Sequence, residues 1–553
     1  KKSYFENKLK ENIGRPKELW KTLKNLGLPH NSTSNANICL KNNEKTSFNA
    51  KDNANLFKDF FSNLANNLFL KLPEAPKRFG KESLSLYYNK FNLDSKNFNF
   101  YSVSKEPVLK IIQNLDLSKA SGIDKISVRF IKDGANVLAV PISQLFNLSI
   151  KTSSFPDDCK ISKLKPLYKK GSKTDPKNYR PISLLPIVSK IIEKLIHDQA
   201  QNYLSENKVL YDCQSGFRKN YSTNYCLAYL NDKISKGFDQ GLYTGMILID
   251  LQKAFDTINH LLLLEKMAFL GFSEKTIKWF KSYLTDRKFI VYVNEETSDP
   301  GPLSCGVPQG SILGPLLFLL YVNDMPQATK SELLLYADDS CILFQHKDVN
   351  TIQTQLNEDF SNLCDWFVDN KLSIHFGEEK TKSILFASKW KVKKASKLEI
   401  SYKSIDIKQH SKVTYLGCII DETLSGESMA LNVINKISSK IKFLYRKNRF
   451  LTPDLRRLLC NSLIQPHFDY ACSSWYPFLT QNLKNKIQIM QNKCIRFCLK
   501  LDSMSHIGKN ELEKINWLNT YDRYRQNLCT IVFNSLHGKC PLYISEIFDV
   551  VQQ

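Results

Sequence analysis

Leu333 to Phe344 reads LLLYADDSCILF. Two apolar runs rich in strand-forming residues flank Tyr336-Ala337-Asp338-Asp339, the pattern of two buried β-strands joined by a tight turn that carries paired carboxylates. Two ionised carboxylates side by side on an apolar hairpin are costly unless a cation neutralises them, and hard divalent ions suit oxygen ligands. Asp is also a favoured turn residue, so an isolated Asp-Asp turn is equally compatible with a solvated hairpin. The rest of the chain has to decide between the two.

Upstream, Tyr243 to Ile258 reads YTGMILIDLQKAFDTI. Met246 to Ile249 is a continuous apolar strand, and Asp250 stands where that strand emerges, the usual place for functional groups in layered α/β architectures. Asp256, six residues on, is read as a helix-capping or structural carboxylate. Between the two acidic stretches lies SCGVPQGSILGPLLFLLYVND, Ser304 to Asp324. Gly306 to Gly310 supplies a backbone able to approach another molecule closely, and Ser311 starts an apolar helix that must be buried. A Pro-Gln-Gly turn between two acidic stretches points to a substrate-facing loop.

Further upstream, KISKLKPLYKKG and NYRPISLL read as two strands joined by the polar loop Gly171 to Lys177. The first strand alternates Lys with apolar residues, so one face is cationic and the other packs. Lys163, Lys165, Lys169, Lys170 and Arg180 together make a hairpin suited to phosphate oxygens. Pro107 to Leu117 and Ile187 to Leu204 have helical spacing, and Gly216-Phe217-Arg218 is read as opening another helix. Downstream, Val349 to Phe367 is helical by its spacing. It leads to Asn370-Lys371-Leu372-Ser373-Ile374-His375, to Lys380-Thr381-Lys382, to a strand at Ile384 to Phe386, and to a strand pair over Val413 to Ile420.

Over the whole chain 78 Lys and Arg face 54 Asp and Glu, a formal charge of +24, which calls for a polyanionic partner. From Lys389 to Lys500 the count is 21 basic against 7 acidic residues, in a largely helical stretch with interspersed aromatics. A solvated helical face does not explain so one-sided a balance. At 553 residues with 42% hydrophobic content the chain can hold several folded domains. No apolar run reaches the ~20 residues that span a bilayer, so a membrane partner is disfavoured. The 14 Cys show no zinc-type spacing; Cys494 and Cys498, one helical turn apart, fit core positions, and a reducing, intracellular setting is expected. The Asn/Ser/Lys-rich stretch His30 to Asp52 reads as a mobile linker. The chain opens on Lys1-Lys2-Ser3 rather than on Met or a signal sequence, which points to an excerpt of a longer polyprotein.

The order of these blocks resembles the reverse transcriptases of non-LTR (LINE-type) retrotransposons, most of all the jockey and chicken-repeat group. The resemblance is carried by NYRPISLLPIVSKIIEKLI, QSGFRKNYST, IDLQKAFDT, GVPQGSILGPLLFLLYVND, YADD, NKLSIH with KTK, and TYLGCIID, in that order, from about Lys105 onward. It implies an α+β right-hand polymerase. The expected division is an N-terminal extension (1–104), fingers (105–240), a palm whose antiparallel sheet carries the catalytic aspartates (241–424), a helical basic thumb (425–500) and a C-terminal helical tail (501–553). It further implies RNA-templated DNA synthesis, with deoxynucleoside triphosphates, an RNA template and a DNA primer or target as partners. The setting would be nuclear at the target DNA and cytoplasmic for particle assembly.

Carried over position by position, Asp250, Asp338 and Asp339 resemble the carboxylates that hold two Mg²⁺ (or Mn²⁺) ions. Phe255 resembles the bulky gate that crowds a ribose 2′-hydroxyl, and Gln309 and Gly310 the loop at the template base and incoming nucleotide. Lys169 or Lys170, with Arg180, resembles the triphosphate grip. Lys380 resembles the late lysine that protonates pyrophosphate, with Lys382 as the alternative because the gap before it is long. Lys442, Arg446, Lys447 and Arg449 are expected to grip nucleic-acid phosphates. His375 stands where the family commonly has Asn. No endonuclease or ribonuclease H pattern is found here, so strand cleavage is not implied, although GRPKELWKTLKNLGL resembles the connector that follows the endonuclease in such elements. An RNA-dependent RNA polymerase shares the two-carboxylate chemistry, but Phe255 and Ala337 argue against it. A decayed copy that only binds RNA is the other alternative, against which the intact acidic set and Gln309 argue.

Overall fold

The computed structural model describes residues 2–12, 16–25, 38–42, 45–47, 49–91, 93 and 97–548. Most of the stretch read as a mobile linker lies outside the described residues. The strands that build the site are, in chain order, β1 (Ile161–Tyr168), β2 (Tyr179–Leu184), β3 (Tyr243–Ile249), β4 (Arg287–Val293), β5 (Glu332–Tyr336), β6 (Asp339–His346) and β7 (Lys382–Phe386). The helices used below are α1 (Ala50–Phe69), α2 (Ile187–Glu206), α3 (Thr223–Asp239), α4 (Leu313–Val322), α5 (Val349–Asp369), α6 (Glu427–Arg446), α7 (Gln481–Leu499) and α8 (Leu542–Ser545). The architecture is mixed α and β, with sheets that are antiparallel apart from one parallel pairing of β1 with β4.

A four-stranded antiparallel sheet in the order β7-β3-β6-β5 stands at the centre. Successive residues of a strand point to opposite faces, and here both faces are covered. Ile247, Ile249, Leu335, Ile342 and Leu385 enter one core with α2, α4 and α5. Met246, Leu248, Leu334, Cys341 and Ile384 enter a second core with α3, α6 and α7. Double coverage explains why these strands read as unbroken apolar runs rather than as alternating ones. Cys494 and Cys498 are buried in the second core.

A second sheet runs β2-β1-β4, continued by Glu296–Thr297, with Gly301–Leu303 also pairing with β4. Its inner face, Leu164, Tyr179, Phe289 and Val291, packs on Phe57, Phe61 and Leu64 of α1. The lysine-bearing face of β1 is left toward solvent, as its alternation predicts. Within the first core, Lys266 and Asp324 form a fully buried ion pair. Lys266 also donates to the Tyr321 carbonyl at 2.6 Å, and Trp366 Nε1 to Asp324 at 2.9 Å. The network ties the helix His260–Phe269 to α4 and α5. Removing one member of such a pair would cost about 3–5 kcal/mol, because the other charge would stay buried and unmatched.

Two local expectations change. Gly216-Phe217-Arg218 does not open a helix: α3 begins at Thr223, where the Ser222 side chain accepts from the Tyr225 N–H at 3.3 Å. The apolar helix α4 starts at Leu313, two residues after Ser311. Buried Glu193 of α2 accepts from the Ile312 N–H at 2.7 Å and so satisfies an amide at the helix start, while Ser311 Oγ accepts from Gly314. The helices beyond residue 501 pack onto α6 and α7 and return to α3, so they share the second core. Among the described residues no helix is long and apolar enough to cross a membrane.

Candidate active site

Strand register brings the acidic stretches together. Tyr336 pairs with Asp339, which makes Ala337-Asp338 a two-residue turn, with Ala337 in the left-handed region at φ 56°. Ser340 of β6 lies opposite Ile249 of β3, so one step further sets Asp339 across from Asp250. Lys382 of β7 lies opposite Leu248, and the same extrapolation sets Lys380 beside Asp250. The side chains agree: Lys380 Nζ lies 2.7 Å from Asp250 Oδ2. Segment 373–381 is laced to the Asp250 strand end. His375 N–H donates to the Asp250 carbonyl and Gln252 N–H to the Ser373 carbonyl, each at 2.8 Å. Lys382 instead pairs with Glu379 at 2.8 Å and is not part of the cleft wall.

A cleft of about 1170 Å³ opens at this sheet end. Asp250, Asp338, Lys380, Lys169, Lys170, Arg180, Phe255, Gln309 and Gly310 all line it. Asp339, the tenth of the active-centre residues singled out in the sequence, lies beside Asp338 at the start of β6. Partial desolvation at the cleft end, then the charges of Asp338 and Asp250, push the Asp339 carboxyl up to about 6, while Lys380 and Lys169 pull the other way. Burial and then the charges of Arg180 and Lys380 hold the Lys169 ammonium below its usual value, with Asp250 opposing. The cleft thus has an acidic end and a cationic wall.

The hard oxygen donors and the mutual repulsion of these carboxylates suit divalent cations. One expectation needs correction. Among the described residues no three Asp, Glu, His or Cys side chains gather as a ready-made metal cage, and Asp250, Asp338 and Asp339 are no exception. Carboxylates repel one another, and here the positive charge on Asp250 Oδ2 comes from Lys380.

Phe255 has a fixed ring. It stacks on Phe318 at 4.9 Å between centroids and meets Phe217 edge-on at 5.8 Å. Gln309 does not hang free: its Nε2 donates to both carboxylate oxygens of Asp256 at 2.9 Å, so that Asp256, no helix cap, is a partner of the loop. Lys253 Nζ reaches the Tyr179 carbonyl at 3.1 Å and ties the turn after β3 to β2.

Three contributions to the site went unread in the sequence. Gln214 Oε1 accepts from the N–H of Gly216 (2.8 Å) and of Ala337 (3.0 Å), holding the acidic turn from behind. A Cβ on Gly216 would lie 2.2 Å from Ala337 N, so only glycine allows this approach. QSG within QSGFRKNYST was the available cue. The third is α1, whose Phe60, Leu64, Asn67 and Leu68 form part of the cleft wall although they come from the N-terminal extension.

The four basic residues expected to grip nucleic acid lie elsewhere, at and just beyond the end of α6. Lys442, Arg446 and Arg449 are exposed and Lys447 is partly buried. Phe443, between the first two, packs on Trp20 at 5.6 Å. None of the four lines the cleft.

An acidic hairpin opposite a second strand-end aspartate, facing a cationic wall across a nucleotide-sized cleft, fits the class of nucleotide polymerases with mixed α/β architecture. Residues 168–420 match the family described as "Reverse transcriptase (RNA-dependent DNA polymerase)". The chain is 29% identical over 403 residues to the "Probable RNA-directed DNA polymerase from transposon BS" of Drosophila melanogaster, covering 71% of this chain and 44% of that one. It is 28% identical over 447 residues to the "RNA-directed DNA polymerase from mobile element jockey" of the same species, covering 78% and 48%. Against the "Probable RNA-directed DNA polymerase from transposon X-element", also from that species, it is 26% identical over 398 residues, covering 70% and 43%. The chain belongs to the reverse transcriptases of non-LTR, LINE-type retrotransposons. It spans less than half the length of these three relatives.

Proposed function

We propose that this chain is an RNA-directed DNA polymerase that extends a DNA primer on an RNA template, priming on cut target DNA as its family does. The observation that carries this is the single cleft lined by Asp250, Asp338, Lys380, the Lys169/Lys170/Arg180 wall, Phe255 and the Gln309-Gly310 loop. The central sheet corresponds to a palm, the β1–β2 hairpin to fingers and the α6–α7 bundle to a thumb.

Asp250 and Asp338, with Asp339 beside them, would hold two Mg²⁺ or Mn²⁺ ions. When bound, such a pair lowers the pKa of an attacking hydroxyl and stabilises the charge that develops on transferred phosphate. The residues of the chain do the remaining work. Lys169, Lys170 and Arg180 present donors to the triphosphate. Phe255 excludes a 2′-hydroxyl. Lys380, held at Asp250, carries a proton that can be delivered to departing pyrophosphate.

The test is primer extension on a homopolymer RNA template, with and without Mg²⁺, comparing deoxynucleotides with ribonucleotides. Mg²⁺-dependent extension that prefers deoxynucleotides is expected. Extension with ribonucleotides alone would reverse the assignment, and RNA binding without extension would favour a decayed copy.

A further inference from the structure

Gln309 is fixed on three sides. Its backbone carbonyl accepts from the Ser183 N–H at 2.7 Å, and Val307 and Gly306 donate to the Phe255 and Ile258 carbonyls at 2.9 and 2.8 Å. Gly306 makes that seam possible. It has φ +75°, and a Cβ there would stand 2.7 Å from the carbonyl oxygens of both Phe255 and Asp256. The third tie is the Asp256 carboxylate on Nε2.

A glutamine amide can normally turn over, exchanging its oxygen and nitrogen in nearly the same space. An ionised carboxylate only accepts hydrogen bonds. It therefore selects the orientation with nitrogen toward Asp256 and oxygen away. That oxygen, Oε1, accepts no hydrogen bond among the described residues, and Gln309 lines the cleft next to Phe255. Burial pushes the Asp256 carboxyl up to about 6, with Lys253 and then Gln309 opposing, which leaves it ionised at neutral pH.

Phosphates at neutral pH offer no donors to a fixed acceptor. Base N–H groups differ among the four nucleotides, and an acceptor that needed one would favour some sequences over others. A sugar hydroxyl is the donor that every nucleotide carries. We infer that Asp256 is a positioning residue: it locks the Gln309 carboxamide so that Oε1 accepts a hydrogen bond from a sugar hydroxyl in the cleft. The hydroxyl belongs either to the incoming deoxynucleotide (3′-OH) or to the template ribose (2′-OH). This deepens the polymerase reading and rests on it.

The experiment measures kcat/KM for single-nucleotide addition by wild type, Asp256→Asn and Gln309→Leu. Deoxy- is compared with dideoxynucleotide on one template, and RNA with DNA template for one deoxynucleotide. Asn keeps the size of Asp but offers both a donor and an acceptor, so the amide is free to turn. Each variant should lower one of the two preference ratios by about 3- to 10-fold, the worth of one neutral hydrogen bond. The double variant should be no worse than Gln309→Leu. Loss of the deoxy-over-dideoxy preference assigns the nucleotide's 3′-OH, and loss of the RNA-over-DNA preference the template's 2′-OH. If both ratios stay at the wild-type value in Gln309→Leu, or in a folded Asp256→Asn, the inference is overturned. Should Asp256→Asn fail to fold, Gln309→Leu alone decides. A wild-type chain that extends no primer would instead remove the polymerase reading itself.

Discussion

Lys380 Nζ lies 2.7 Å from Asp250 Oδ2, so the lysine expected to act on pyrophosphate rests on the aspartate expected to hold metal. The ammonium and a divalent ion compete for the same oxygen. If that competition operates, loss of the lysine should have two opposite effects. Lys380→Gln should lower kcat by about 10²-fold or more, the usual worth of a general acid. It should also reduce the Mg²⁺ concentration needed for half-maximal extension. A Mg²⁺ titration of primer extension reads both, and an unchanged or raised Mg²⁺ requirement would show that the pair does not compete with the ion.

The Phe255 ring is clamped between Phe318 and the exposed Phe217. A steric gate discriminates by the group that it excludes. Phe255→Ala should therefore raise ribonucleotide kcat/KM while changing deoxynucleotide kcat/KM much less. Phe217→Ala, which removes one support of the ring, should move the same ratio in the same direction by a smaller amount. Competing single-nucleotide kinetics give the comparison, and equal effects on both sugars would refute the gate.

Gly216 touches the backbone of Ala337, and the C-terminal segment reaches this contact too: the hydroxyl of Tyr543 in α8 lies 2.7 Å from that of Ser215. Gly216→Ala forces backbone apart at the acidic turn, an overpacking worth about 1–3 kcal/mol. It should depress extension well beyond its effect on melting temperature. Tyr543→Phe, which loses one buried hydrogen bond of about 1 kcal/mol, should be milder in both. Parallel thermal melts and extension rates separate the two effects; activity that tracks stability alone would deny the turn its special role.

The sequence carries the strands of the central sheet openly, because both faces are buried and Met246–Ile249 and Leu333–Leu335 leave no helical alternative. The acidic turn is equally visible, since paired Asp between two such runs has few other uses. What stays hidden is partnership. Asp256 reads as a cap because its acceptor role depends on Gln309, 53 residues away, and on a loop pinned by Gly306. Gln214 looks like one polar residue among many, and its bond to Ala337 exists only once β5 and β6 have turned. The start of α3 is misplaced for a local reason. Gly216 resembles a helix punctuation mark, while the working signal, Ser222 capping Tyr225, lies six residues on. The wall contributed by α1 is invisible because its Phe and Leu spacing records only that one face is buried, not against what.

Lys442, Arg446, Lys447 and Arg449 cluster away from the cleft, beside the N-terminal helices. Neutralising the four together should weaken template-primer binding and flatten its salt dependence, by about 0.7 to 0.9 in log-log slope for each phosphate that the protein no longer neutralises. Sequence preference should not change, and processivity should fall more than single-nucleotide addition. Binding to specific and scrambled RNAs over a salt series checks this. A wild-type slope would leave the cluster a solvated face, and a weakening confined to one RNA would indicate specific readout.

The central claim is that the Asp338 turn and Asp250 form one nucleotidyl-transfer centre. The direct measurement is the single-turnover rate of primer extension on an RNA template in Mg²⁺ for wild type, Asp250→Asn and Asp338→Asn, with RNA binding measured alongside. Each substitution keeps shape and removes one charge. Both should slow extension by at least about 10³-fold, the scale of losing a preorganised electrostatic group at a transition state, with RNA affinity retained. Extension by either variant at near the wild-type rate would contradict the account.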